Sequence, residues 1–230
     1  MLEGTDGPDV IVGLGGDDRI AGANGDDEIC AGEGEDVITG DGELEEGQFT
    51  ESQGDGGNDA IDGGEGNDVP IGDFSEGDGG DDRLDGGDGD DVPIGDLSEG
   101  DGGDDNLDGG DGDDVLLGDN AGGFGPQGGD DTLEGGEDGD LLVGETGSDS
   151  LRGEAGDDEL NAQDGEEDVE IDGGPDTDEC FTDPVIDPEP ENCEGAGDLS
   201  ARERRAPSVP KEIDDLLGDL GERFGDLGER

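Results

Sequence analysis

Aspartate recurs every nine residues along most of this chain, and that spacing is the feature able to do chemistry. Laid out in nines, residues 4–39 read GTDGPDVIV, GLGGDDRIA, GANGDDEIC and AGEGEDVIT. Asp9, Asp18, Asp27 and Asp36 hold the sixth place, Gly7, Gly16, Gly25 and Gly34 the fourth, and Ile11, Ile20, Ile29 and Ile38 the eighth. A carboxylate set in glycine is a hard oxygen donor. Several of them gathered with backbone carbonyls make an all-oxygen cage of the kind Ca2+ prefers, with six to eight ligands at roughly 2.3–2.6 Å. Mg2+ suits such a cage less well, because it dehydrates reluctantly and needs a tighter shell. Metals that seek imidazole or thiolate find little, since there is no histidine and the three cysteines are scattered. The lack of histidine also removes a Ser-His-Asp triad and an HExxH helix. No catalytic constellation is visible, so the chain reads as a binding protein and not an enzyme.

The elements that must position these carboxylates follow from the same period. Three residues centred on the eighth place suit a very short strand with its apolar side chain inward. The six glycine-rich residues before it suit a tight turn, because glycine reaches positive φ without a Cβ penalty. Strand, turn, strand, turn closes one coil of two nonapeptides. Stacked coils put equivalent turns about 4.8 Å apart, the spacing of neighbouring strands. Carboxylates and turn carbonyls of successive coils then meet along each edge.

The register lapses over the irregular insert 40–53 and resumes at Gly54. Residues 54–76, 77–99 and 100–122 are near copies of one 23-residue unit, two nonapeptides plus a five-residue insert: GDFSE, GDLSE and GDNAG. The plain nine returns from Pro126 to Asn161, with Asp131, Asp140, Asp149 and Asp158 at the sixth place and Leu133, Leu142, Leu151 and Leu160 at the eighth. A last partial copy, GGPDTDECF, occupies 173–181.

These repeats resemble the RTX (repeats-in-toxin, hemolysin-type) calcium-binding nonapeptide family, GGxGxDxUx with U a large apolar residue, over residues 4–161 and weakly to 181. The resemblance implies an all-β, calcium-dependent parallel β-roll, that is, a β-solenoid. It implies that the metal ligands are the carboxylates of Asp9, Asp18, Asp27, Asp36, Asp59, Asp68, Asp82, Asp91, Asp105, Asp114, Asp131, Asp140, Asp149 and Asp158 together with carbonyls of the glycine turns. Each ion would sit between one turn and the next on the same edge, for on the order of ten Ca2+ ions.

Composition points the same way. Glycine supplies 54 of 230 residues, and 75 acidic against 9 basic residues leave a net charge of −66, with only 25% of the chain hydrophobic. Such a chain buries too little apolar surface to offset the entropy of ordering its glycines, and self-repulsion opposes compaction. Folding is therefore expected to be inseparable from cation binding. Nucleic acid is excluded as a partner, since the first 200 residues carry no basic patch. No apolar run approaches the roughly 20 residues of a membrane span. Two other readings remain: an acidic structural or matrix protein without specific ion sites, and an acidic decoy of a basic protein partner. Neither accounts for the apolar eighth place.

Several positions depart from the pattern. Pro70 and Pro93 stand at the eighth place, where proline cannot donate to a ladder, and Ile71 and Ile94 are expected to turn inward instead. The inserts recur once per coil, so Asp73, Asp96 and Asp119 should line up, as should Phe74 and Leu97. Two readings are open: a tolerated surface loop, or an added cation row or apolar strip. Asp138 replaces a fourth-place glycine and Glu167 falls where an aspartate belongs, which puts sites near them in doubt.

Cys180 and Cys193 bracket FTDPVIDPEPEN. A disulfide between them would stabilise by about 3 kcal/mol in the loop-entropy model, would suit a terminal cap and would indicate an oxidising compartment. The alternative is two unrelated thiols. Cys30 is left as a free thiol or an intermolecular link. Six of the nine basic residues lie beyond 195. The chain divides into an RTX-like roll (4–161), a degenerate repeat with disulfide cap (162–194), a linker (195–212) and an amphipathic helical tail (213–230). Ile213, Leu217, Leu220, Phe224 and Leu227 give that tail one apolar face, available to a protein partner or to self-association. The start, MLEGTDGPDVIVG, lacks the basic and apolar regions of a secretory leader. Export is expected through a type I channel guided by a C-terminal signal, as the resemblance implies, or by a leader outside this sequence. Either places the protein outside the cell or on its surface.

Overall fold

Each nonapeptide forms one strand and one turn, and successive strands alternate between two sheets. The structure is a computed structural model that describes residues 1–45, 48–52, 54–119, 128–183 and 185–194. The linker 195–212 and the helical tail 213–230 lie outside these residues. Among the described residues all regular structure is β.

One sheet has nine strands in chain order: Leu2–Glu3, Arg19–Ala21, Val37–Asp41, Val69–Asp73, Ile94–Asp96, Val115–Leu117, Leu141–Val143, Glu159–Ala162 and Glu179–Thr182. The other has eight: Val10–Gly15, Glu28–Glu33, Ala60–Glu65, Arg83–Asp88, Asn106–Asp111, Thr132–Glu137, Ser150–Ala155 and Glu170–Asp172. Neighbours in both pair parallel. The chain is thus the parallel two-sheet β-roll that the repeat implies. Strands of the second sheet mostly run six residues where three were expected. They continue through the second-place glycine, and Gly64, Gly87 and Gly110 all take φ of +109° there, bending the strand into its turn.

The eighth-place residues form two inward columns. Ile11, Ile29, Ile61, Leu84, Leu107, Leu133, Leu151 and Ile171 are in register along one sheet. Ile20, Ile38, Leu116, Leu142, Leu160 and Cys180 line the other and are fully buried. Both columns belong to one apolar cluster. Cys180 is therefore the last rung of a column, and its disulfide to Cys193 brings that residue against the cluster.

The expectation for Pro70 is corrected. Pro70 keeps the eighth-place register, opposite Ile38, while Ile71 stays at the ninth place opposite Thr39. Ile71 and Ile94 are buried but stand outside the main cluster. Ring closure costs Pro70 its N–H, and the residue is buried at that place.

The first two inserts are not surface loops. Asp73, Phe74 and Ser75, and likewise Asp96, Leu97 and Ser98, are buried. They stack: Leu97 N–H donates to Asp73 O at 2.8 Å, and the Ser75 and Ser98 hydroxyls are hydrogen-bonded at 3.0 Å. The irregular insert 40–53 contains an antiparallel pair, Glu43–Glu45 with Gln48–Thr50, and joins the stack where Ser52 pairs with Ser75.

Candidate metal centre

Alternation between sheets sorts the fourteen sixth-place aspartates onto two edges. Asp18, Asp36, Asp68, Asp91, Asp114, Asp140 and Asp158 lie on one; Asp9, Asp27, Asp59, Asp82, Asp105, Asp131 and Asp149 lie on the other. The windings fix their spacing, because each carboxylate reaches back one winding to accept a backbone N–H from its counterpart. Asp59 N–H donates to Asp82 Oδ1 at 2.7 Å, Asp82 to Asp105 at 2.8 Å and Asp105 to Asp131 at 2.8 Å. On the opposite edge Asp68 donates to Asp91 at 2.7 Å, Asp91 to Asp114 at 2.7 Å and Asp114 to Asp140 at 2.9 Å.

The ladder satisfies Oδ1 and leaves Oδ2. From Asp27 onward every sixth-place aspartate is at most 3% exposed. In each of these except Asp149, Oδ2 is buried without a hydrogen-bond partner. One buried, unpartnered carboxylate oxygen is costly, and two rows of them suit a cation. Glycine supplies the space. A Cβ on Gly135 would overlap both Asp140 Oδ2 and the carbonyl oxygen of Gly153, and one on Gly72 would overlap both Asp82 Oδ2 and the Gly95 carbonyl. Carboxylate and carbonyl oxygens from successive windings thus converge on a glycine, at the first place in Gly135 and at the head of an insert in Gly72. This all-oxygen set fits Ca2+.

Electrostatics agree. Burial pushes the carboxyls of Asp59, Asp140 and Asp149 up to about 8 and that of Asp131 to about 9, and the charge of neighbouring carboxylates adds to the shift. Burial with the same repulsion takes Asp91 and Asp114 to about 7. Without cations Asp59, Asp131, Asp140 and Asp149 resist ionisation at neutral pH.

The first winding differs. Asp9 and Asp18 are only partly buried. Asp9 Oδ2 accepts the Thr5 N–H at 2.6 Å, and Asp18 Oδ1 accepts the Met1 amine at 3.0 Å.

Two further acids extend the rows. Asp168, one residue after Glu167, takes the next rung and accepts the Asp149 N–H at 2.9 Å. Asp178 accepts the Asp158 N–H at 3.0 Å. Both leave a buried Oδ2 unpartnered. The partial copy at 173–181 already placed an aspartate at its sixth place, which was the signal for Asp178; the shift by one residue hid Asp168. Asp41 and Glu145 each follow a glycine, Gly40 and Gly144, that stands where Gly72 stands in the insert-bearing windings. Nothing in the nonapeptide pattern marks them. Asp138, at the fourth place, takes φ of +76° and leaves Asp140 in the row.

The insert aspartates join the second edge. Carboxylate oxygens of Asp41, Asp59 and Asp73 lie within 4.8 Å of one another, as do those of Asp73, Asp82 and Asp96, and of Asp96, Asp105 and Asp119. Cys30 is a free, partly buried thiol, and burial followed by the charges of Asp62 and Glu28 pushes its ionisation up. Among the described residues no helix is long and apolar enough to cross a membrane.

A family model described as RTX calcium-binding nonapeptide repeat (4 copies) matches residues 3–42, 53–70, 72–97, 94–121 and 134–166. No curated protein gives a significant match.

Proposed function

The chain belongs to the RTX calcium-binding nonapeptide repeat family, and from that premise we propose that it is a secreted or cell-surface protein that binds Ca2+ along both edges of its roll and folds as it does so. The observation that carries this reading is the pair of buried Oδ2 rows, which no protein group satisfies. The fourteen sixth-place aspartates, from Asp9 to Asp158, supply the carboxylates, and first-place glycines supply carbonyls. Bound calcium contributes positive charge and coordination between windings. The chain's own part is to hold two oxygens of successive windings at one point and to exclude water from them. The role is binding and not catalysis.

Folding on binding follows from the charge. With −66 on the chain and its carboxylates buried in rows, the ion-free roll carries repulsion that its two thin apolar columns do not overcome. The Cys180–Cys193 disulfide supports an oxidising compartment. Calcium is scarce inside cells and plentiful outside, so a chain with extracellular-type affinity, about 0.1–1 mM, would order only after export.

Calorimetric titration with Ca2+, Mg2+ and Na+, paired with circular dichroism, tests the reading. Saturable Ca2+ binding with a cooperative gain of strand signal, reversed by EGTA, is the expected result. An identical strand-rich spectrum after exhaustive EGTA dialysis overturns it. Order restored by monovalent salt alone would point instead to an acidic matrix protein, and a transition needing only a basic protein to an acidic decoy.

A further inference from the structure

The five-residue inserts place a second set of carboxylates on one edge that the nonapeptide does not encode. In the plain windings the residue after the first-place glycine takes a left-handed backbone, as Ala23 does at φ of +82° and Glu145 at +67°. In two of the insert-bearing windings that residue is an aspartate in strand conformation: the strands run on through Asp73 and Asp96, and Asp41, Asp73 and Asp96 pair in register. Each insert acid is then pinned by the turn that follows. Gly80 N–H donates to Asp73 Oδ2 at 2.5 Å, Gly103 to Asp96 Oδ2 at 2.6 Å and Gly129 to Asp119 Oδ2 at 2.7 Å. The opposite oxygen, Oδ1 of Asp73, Asp96 and Asp119, is buried with no partner, in side chains at most 2% exposed. Glycine again makes room, since a Cβ on Gly56, Gly79 or Gly102 would overlap one of these carboxylates.

We propose that the inserts build a row of three tricarboxylate Ca2+ sites, Asp41/Asp59/Asp73, Asp73/Asp82/Asp96 and Asp96/Asp105/Asp119, which bind more tightly than the sites of the plain nonapeptide edge. Here the sixth-place carboxylate is joined by one insert carboxylate from each of two successive windings. Asp73 and Asp96 are shared between neighbours, so seven carboxylates serve three sites. Three divalent ions bring six positive charges against those seven negative ones and nearly balance the row. Monovalent ions would leave it strongly charged. Affinity in oxygen cages rises with the number of charged ligands and with rigidity, and both are greater here than on the opposite edge. The first site is the least free, because both oxygens of Asp41 already accept N–H groups, from Gly25 and Gly57; carboxylate oxygens retain lone pairs for an ion.

The inference rests on the calcium reading above, and the test separates the two. Full-length chain stripped of metal is titrated with Ca2+ by calorimetry beside two triple variants: Asp73→Asn/Asp96→Asn/Asp119→Asn on the insert edge, and Asp68→Asn/Asp91→Asn/Asp114→Asn on the opposite edge. The insert variant should lose the tightest binding phase, those ions weakening on the order of tenfold or more, while the opposite-edge variant keeps that phase. A tight phase untouched by the insert substitutions, or lost equally in both variants, overturns the inference and leaves the nonapeptide reading standing. A wild-type chain that binds no Ca2+ overturns both. Should the triple variant fail to fold, Asp96→Asn alone removes one carboxylate from two adjacent sites. Weakening of the tight phase in it supports the inference, and no change overturns it.

Discussion

The backbone N–H of Asp178 donates to Glu194 Oε2 at 2.9 Å, one residue beyond the half-cystine Cys193. Every earlier rung of that edge is a donation to the aspartate one winding on, so Glu194 supplies the carboxylate that a further winding would have supplied. Its neighbour does the same for the apolar column, since Cys180 is the last inward rung and Cys193 packs against the cluster through the disulfide. Two adjacent residues therefore close one carboxylate row and one apolar column of the roll.

Loss of the bond should be felt as loss of that closure. Cys180→Ser/Cys193→Ser, or reduction, is expected to cost about 2–4 kcal/mol in saturating Ca2+. For a chain of this length that is a fall of several degrees in Tm, at roughly 2–4 °C per kcal/mol. Calorimetry with and without a reductant checks it, and an unchanged Tm would show that the cap carries no stability.

Gly135 is required for space and not for φ. Gly135→Ala would press a methyl onto Asp140 Oδ2 and the Gly153 carbonyl, and overpacking of that kind costs about 1–3 kcal/mol. Gly7→Ala meets nothing within 4 Å and should stay within about 0.5 kcal/mol of wild type. The readout is the Ca2+ midpoint of the strand signal, which should rise for Gly135→Ala alone. Equal midpoints would remove glycine from the account of the site.

Much of this was legible in the chain itself, and the reason is its period. One nine-residue unit dictates strand, turn and carboxylate together, so the two inward columns and the two-sheet roll follow from counting. What was not legible depends on contacts between windings. Pro70 tolerates the column because its lost N–H is a local matter, which spacing alone does not reveal. Asp73 and Asp96 become buried partners of Asp82 only because their strands run on past the ninth place. Asp168 enters its row by a slip of one residue from Glu167, a shift that a fixed count reads as decay.

The apolar columns set how readily the roll closes around its carboxylates. Leu133 is fully buried, in register between Leu107 and Leu151, so Leu133→Ala should cost about 2–5 kcal/mol. Val12, 52% exposed on the neighbouring face, should tolerate the same change within about 0.5 kcal/mol. If folding and binding are one step, the loss at Leu133 appears as a higher Ca2+ midpoint, although that side chain has no oxygen to offer. An unmoved midpoint would separate binding from folding.

Proton and calcium should act as rivals for the same oxygens, with opposite signs in the two states. In the ion-free roll, burial holds Asp27 at about 6, Asp91 at about 7 and Asp59 and Asp140 at about 8, against an ordinary aspartate value of 3.8. The folded form thus binds more protons than the unfolded one between roughly pH 4 and 8. Its stability is fully present below the unfolded value and is lost as pH rises through 6 to 8. The metal-stripped chain should therefore gain strand signal on acidification from pH 7.5 to 4.5, where neutral carboxyls no longer repel one another. With Ca2+ present the direction reverses, because each ion must displace the proton. The Ca2+ midpoint should rise once acid populates the protonated roll, by up to about tenfold per unit for every proton released. Circular dichroism on resin-stripped protein across that range, with and without added Ca2+, reads both trends. A midpoint that stayed constant over the range in which acid alone restores the strand signal would show that proton and Ca2+ do not share these oxygens.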